Sequence, residues 1–144
     1  MTISVRLALP CDAAALHNIR MSVRENRLSR PDILSEASYQ PYIESGCCWV
    51  VVTEKRIAGF AALDIADRSV WALFVAPDWE GCGIGKKLHE TLVIAAAAAG
   101  LKNIRLATEA GSRAAGFYEA AGWKYVGQVG KSSEEVYELQ LVPV

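Results

Sequence analysis

The segment Val70–Gly85, VWALFVAPDWEGCGIG, runs an apolar, strand-like stretch into three glycines spaced two apart: Gly81, Gly83 and Gly85. Pro77 stops the strand, and the residues that follow the glycines take up helical spacing. Glycines at such a junction let backbone N–H groups converge and let a ligand approach the main chain closely. The start of the helix adds unbonded N–H donors and a partial positive charge, so the loop suits a phosphate. A glycine-rich turn that binds nothing is the alternative on this segment alone.

Two nucleotide motifs do not fit. A P-loop has four residues between its glycines and then Gly-Lys-Ser/Thr, whereas Gly85 is followed by Lys86 and Lys87. The dinucleotide fingerprint G-x-G-x-x-G puts its third glycine on Lys86 or Leu88, depending on where it starts.

Downstream of the loop, Ile84, Leu88, Leu92, Ala95 and Ala99 recur at helical spacing, and Gly100 closes that helix. A strand over Asn103–Thr108 completes a strand–helix–strand unit that can run parallel. A short helix from about Ser112 to Gly122 would put Ala114, Phe117, Tyr118 and Ala121 on one side. The strands Trp123–Val129 and Glu135–Val142 flank the polar turn Gly130–Glu134. Upstream, Ile3–Leu9 alternates as a strand, and Pro10 and Asp12 open a helix whose apolar face uses Ala15, Leu16, Ile19 and Val23. Asn26–Ser45, with Pro31 and Pro41, reads as loop plus short helix. Cys47–Thr53, Ile57–Ile65 and Val70–Ala76 form an antiparallel meander with a tight turn at Glu54–Arg56. No linker or repeat interrupts this order, which predicts one domain over residues 1–144. The fold class is α/β, around a mixed, mostly antiparallel sheet of about seven strands.

Composition narrows the function classes. At 144 residues the chain is long enough to bury about two-thirds of its unfolded surface. Fifteen basic residues against 16 acidic ones, with no basic run, argue against a nucleic-acid binder. The apolar stretches Cys47–Val52 and Leu92–Ala99 are too short to span a membrane. The opening MTISVRLALP has neither a basic n-region nor an adequate apolar core, so no signal peptide and a cytoplasmic location are expected. Cys11, Cys47, Cys48 and Cys82, with His17 and His89, match no zinc spacing, and no metal is expected. Cys47 and Cys48 read as small core or near-core residues in a reducing compartment, while Cys82 lies in the glycine loop.

The glycine loop resembles the pyrophosphate loop of the GCN5-related N-acetyltransferases, Arg/Gln-x-x-Gly-x-Gly/Ala, with Gly83 and Gly85 in the glycine positions. Arg113–Trp123, RAAGFYEAAGW, resembles the same family's Ala-x-x-x-Tyr-Glu-x-x-Gly-Phe/Trp signature through Ala114, Tyr118, Glu119, Gly122 and Trp123. The order of elements is similar to the family along nearly the whole chain. The resemblance implies acetyl-CoA as acyl donor, its pantetheine arm lying like an extra strand against the backbone of Leu73, Phe74 and Val75. The glycine loop, Gly81, Cys82, Gly83, Ile84, Gly85 and Lys86, would hold the pyrophosphate on backbone N–H groups. Lys86 or Lys87 would add charge.

It further implies that the Val75 N–H stabilises the oxyanion and that Tyr118 is the general acid for the leaving thiolate. Packing on the inner face of a short helix is the other reading of Tyr118. No general base is assigned, because Glu25, Asp64 and Glu109 are candidates by position only. The chain departs from the family pattern at Glu80, where Arg or Gln is usual, and at Gly111, where Asn is common.

The expected activity is acetyl transfer to a primary amine of a small molecule or peptide. The acceptor would be read by Glu25–Tyr42 together with Trp71. Trp71, Trp79 and Trp123 are candidate walls of an apolar pocket, with packing the expected use of at least two. A non-catalytic acyl-CoA-binding or sensor module on the same fold is the alternative. The terminal strands offer an edge compatible with a homodimer.

Overall fold

A computed structural model describes residues 2–23 and 35–141. Seven strands form one sheet in the order β1-β2-β3-β4-β5-β7-β6. They are β1 (Ser4–Leu7), β2 (Cys48–Thr53), β3 (Arg56–Asp64), β4 (Ser69–Val75), β5 (Asn103–Glu109), β6 (Lys124–Gln128) and β7 (Glu134–Gln140). Four α-helices flank it: α1 (Ala13–Ser22), α2 (Gln40–Glu44), α3 (Ile84–Ala98) and α4 (Arg113–Ala120). Every strand pairing is antiparallel except β4 with β5, as the meander and the strand–helix–strand unit predict. That parallel pairing consists of one residue pair, Ser69 with Arg105. Beyond Ser69 the two strands diverge, and the sheet opens.

The alternation of side chains along β2 splits the core in two. Val50 joins Leu16, Ile19, Tyr39, Ile43, Phe60 and Phe74 under α1 and α2. Val51 joins Ala61, Leu63, Ile84, Leu88, Leu92 and Ile104 under α3. Gly59, on β3, sets the distance between the sheet and α3. A Cβ there would lie 2.8 Å from the Phe74 carbonyl oxygen and 3.1 Å from Ile84 Cγ2 and Leu88 Cδ1.

Several expectations need correction in detail. The helix after the glycine loop begins at Ile84, and its fourth buried position is Ala96 rather than Ala95, which is half-buried, while Ala99 is exposed. Ile84, Leu88, Leu92 and Ala96 form one stripe on the sheet, whereas Ala99 is the C-cap, past the last helical residue. In α4 the buried residues are Ala115 and Tyr118; Ala114 and Phe117 are half-buried and Ala121 is exposed. Pro10–Asp12 forms a 3₁₀ turn rather than the first turn of α1. Of the early variable region, Glu36–Tyr39 is a 3₁₀ turn leading into α2, while 24–34 lies outside the described residues, as does the final residue of the predicted strand ending at Val142.

Candidate functional site

The opening between β4 and β5 is where this fold leaves main-chain groups without a strand. Ala76 N donates to Ala58 O at 2.7 Å, so by antiparallel alternation Phe74 also faces β3, while Leu73 and Val75 face the opening. Beside this edge lies a cavity of about 310 Å³. One wall is Leu73, Phe74 and Val75 of β4; the opposite wall is Ala114, Phe117 and Tyr118 of α4. Val23 closes the end nearest α1, and Trp79 stands near the glycine loop.

The floor at the other end is the loop itself. Gly81 and Gly83 have φ of +78° and +81°, a left-handed backbone that favours glycine. Gly83 is the N-cap of α3, no side chain caps that helix, and the first-turn N–H groups of α3 are left for a ligand. A Cβ at Gly81 or Gly83 would meet nothing within 4 Å, so the space above both glycines is open. The site therefore fits a diphosphate: unbonded donors, a positive helix end and room above them.

Its charged lining is Glu80, Lys86 and Arg113. Arg113 Nη1 donates to Glu80 Oε2 at 2.7 Å, so the carboxylate that stands in the loop faces a guanidinium from the first residue of α4. The sum over these three side chains is one positive charge, in keeping with an anionic ligand. Lys87 turns outward to Glu90, at 4.0 Å. Cys82 is exposed, its thiol directed to Glu80 O at 3.8 Å, and it does not line the cavity.

Tyr118 is held by rings. Its centroid lies 5.2 Å from that of Phe117 and 5.3 Å from that of Trp123, both edge-on. Burial pushes its phenol well above the ordinary range, so the hydroxyl keeps its proton. Trp123 Nε1 donates to His89 Nε2 at 2.9 Å, which places the proton of the neutral imidazole on Nδ1. Desolvation lowers the His89 pKa and favours that neutral form.

At the α1 end the surroundings change. Tyr42 stacks on Trp71 at 4.4 Å, and Tyr39 meets Trp71 edge-on at 5.2 Å. The Arg20 guanidinium carbon stands 5.0 Å from the Trp71 ring centroid and 4.8 Å from that of Phe74. Burial lowers its pKa, with the Tyr39 and Tyr42 phenols opposing the shift.

The residues singled out in the sequence thus gather around one cavity, Tyr118, Leu73, Phe74, Val75, Gly81, Gly83, Ile84, Gly85 and Lys86 included, with Cys82 apart. Of the three tryptophans, Trp79 lines the cavity, Trp123 is buried against α3, and Trp71 packs under Arg20. Among the carboxylates named by position, Asp64 accepts from Tyr42 Oη at 3.3 Å and Asp67 N at 3.0 Å, and Glu109 accepts from Ser133 Oγ. Neither lines the cavity, and Glu25 lies outside the described residues. Gly111 has φ +71°, a turn conformation that Asn also tolerates, so the backbone here suits either residue. Sequence reasoning missed the Glu80–Arg113 pair, whose members are 33 residues apart, and the place of Arg20. An unbalanced acidic residue in a phosphate-like loop was the one signal for the first.

Residues 44–125, more than half of the chain, match the family model described as "Acetyltransferase (GNAT) domain". The sequence matches none of the curated proteins compared with it. Among solved structures, Ard1 from Thermoplasma volcanium is similar at a TM-score of 0.84 and 14% identity, over 99% of each chain. YncA from Salmonella typhimurium, solved with its cofactor acetyl-CoA, is similar at 0.80 and 17%, over 100% of this chain and 96% of that one. The PaiA N-acetyltransferase from Thermoplasma acidophilum, in complex with coenzyme A, is similar at 0.75 and 18%, over 97% of this chain and 99% of that one. At these identities the likeness is one of fold.

Proposed function

This chain belongs to the GNAT acetyltransferases, and from that premise we propose that it moves an acetyl group from acetyl-CoA to a primary amine of a small molecule or peptide. One observation carries the reading: a single cavity joins an uncapped helix start, a strand edge and the Tyr118 side chain. Those are the three things the transfer requires, in the order that the donor would present phosphate, amide arm and thioester.

The α3 N-terminus and the loop N–H groups would bind the diphosphate, with Lys86 and Arg113 adding charge. Leu73 and Val75 would pair with the pantetheine amides as a neighbouring strand does. The neutral amine attacks the thioester carbon, forming the C–N bond, and the Val75 N–H would bond the developing oxyanion. The C–S bond breaks, the thiolate takes the Tyr118 proton, and the nitrogen's surplus proton passes to water. Burial keeps the phenol protonated, and the same apolar surroundings raise the proton affinity of the thiolate, which offsets the weakened acidity of the phenol. The resting phenol is restored from solvent.

Calorimetric titration with acetyl-CoA, followed by turnover across an amine panel, tests this. The expected result is micromolar binding and turnover on at least one amine. Tyr118→Phe should leave acetyl-CoA affinity unchanged and lower kcat by about 10²-fold or more. Binding without turnover on any amine would leave the non-catalytic acyl-CoA-binding module instead.

A further inference from the structure

We propose that Arg20 is the anchor for a carboxylate on the acceptor, which makes the acceptor an amino-acid-like amine; this rests on the transfer reading above. Arg20 occupies the last turn of α1, one turn before Val23, and Val23 and Phe74 line the end of the cavity remote from the glycine loop. Its guanidinium lies over Phe74 and Trp71. Nε and Nη1 are buried and, among the described residues, have no hydrogen-bond acceptor. No ion pair of Arg20 with an Asp or Glu occurs among these residues either.

A guanidinium cannot shed its charge by losing a proton, so burying it without an anion is costly. The rings recover part of that cost as cation–π attraction. They would be covered as well by a Met or Leu, at no electrostatic cost. Among the described residues no carboxylate answers the charge, and the guanidinium lies on Phe74, which lines the cavity away from the glycine loop where the donor's phosphates would sit. Its planar fork matches a carboxylate in a bidentate way, and the apolar surroundings strengthen such a pair. A monoanion suits the position better than a phosphate. It stands at the C-terminal, negative end of a helix dipole, whereas the loop offers two cations and a positive helix end. Arg20 packs on Phe74 without lining the cavity itself, so seating the carboxylate turns its side chain toward the cavity.

The test reads binding rather than turnover. A panel of N-acetyl amino acids, each paired with its own carboxamide, is titrated into the protein in the presence of CoA. Acid and amide match in shape and differ in charge and in one acceptor oxygen exchanged for an NH2 donor. At least one acid should bind about tenfold or more tightly than its amide. Arg20→Met should erase that ratio while keeping CoA affinity and leaving thermal stability equal or higher; Arg20→Lys should recover part of the ratio. The proposal is overturned if no acid binds better than its amide, or if the preference survives in Arg20→Met. A carboxylate preference in a protein that acetylates nothing would keep the Arg20 site and remove the transfer. Turnover with equal use of acids and amides would do the reverse.

Discussion

Glu80 and Arg113 show how one position can depart from a motif without losing its chemistry. A carboxylate beside a diphosphate is repulsive, but here it is spent on a guanidinium that itself faces the cavity. Both side chains are at least a third exposed, so the pair adds little to folding. Its effect belongs to the ligand. Glu80→Gln should tighten acetyl-CoA binding by a few-fold, because it removes a negative charge beside the phosphates, and Arg113→Gln should weaken it by about tenfold. Titrations at two salt concentrations check both, with a steeper salt dependence expected for Glu80→Gln. His89 makes a different prediction at this scale. Its desolvated ring has a folded pKa below the unfolded value of about 6.5. The unfolded chain then takes up a proton first, so the His89 contribution to stability is present above that pH and is lost as pH falls through the folded value. Protonation also removes the acceptor for Trp123 Nε1. Urea midpoints measured near pH 7.5 and 5.5 should fall more for the native chain than for His89→Gln, whose amide oxygen can accept the indole proton without titrating.

Among the elements, the contact of β3 with β4 and α3 is the tightest, and it passes through Gly59. A methyl group there meets a backbone carbonyl, which cannot move aside as a side-chain end can. Gly59→Ala is expected to cost about 1–3 kcal/mol in denaturant unfolding. Because the obstructed atoms belong to Phe74 and Ile84, the same change should weaken acetyl-CoA binding without touching the ligand. The elements themselves were legible wherever the pattern was local. The meander, the strand–loop–helix junction and the last two strands lie where alternation and glycines put them, within a residue or two at each end. What local pattern could not supply was where each helix stops and which neighbour faces the sheet: Ala99 and Ala121 are C-caps turned to solvent, and Ala96 rather than Ala95 is buried. Nor could it supply pairing. The insertion of β7 between β5 and β6, the reach of Arg113 across to Glu80 and the packing of Arg20 on Trp71 and Phe74 all depend on contacts between distant segments. The cavity was legible because all its lining residues but Val23 come from one junction and one helix, each with its own signature.

At the scale of the whole molecule, the sheet has two parts, β1–β4 and β5–β7–β6, joined by one residue pair and bridged by α3. Such a seam is the natural place for local opening. A ligand that pairs with Leu73 and Val75 while resting on α4 should close it. Saturating acetyl-CoA is therefore expected to raise the unfolding free energy by about 2.7 kcal/mol at a hundred times its Kd. Amide exchange should slow at Leu73 and Val75 more than in β2, which already has strands on both sides. Equal slowing everywhere would show that the ligand acts only by mass action on global unfolding. On the proposed reading, the single Ser69–Arg105 bridge then carries a kinetic meaning. The protein is a ladder short of its middle rungs, which the reactant brings with it and the product takes away. Each catalytic cycle finishes the architecture and dismantles it again, so the pace of release is bound up with the cost of reopening the seam.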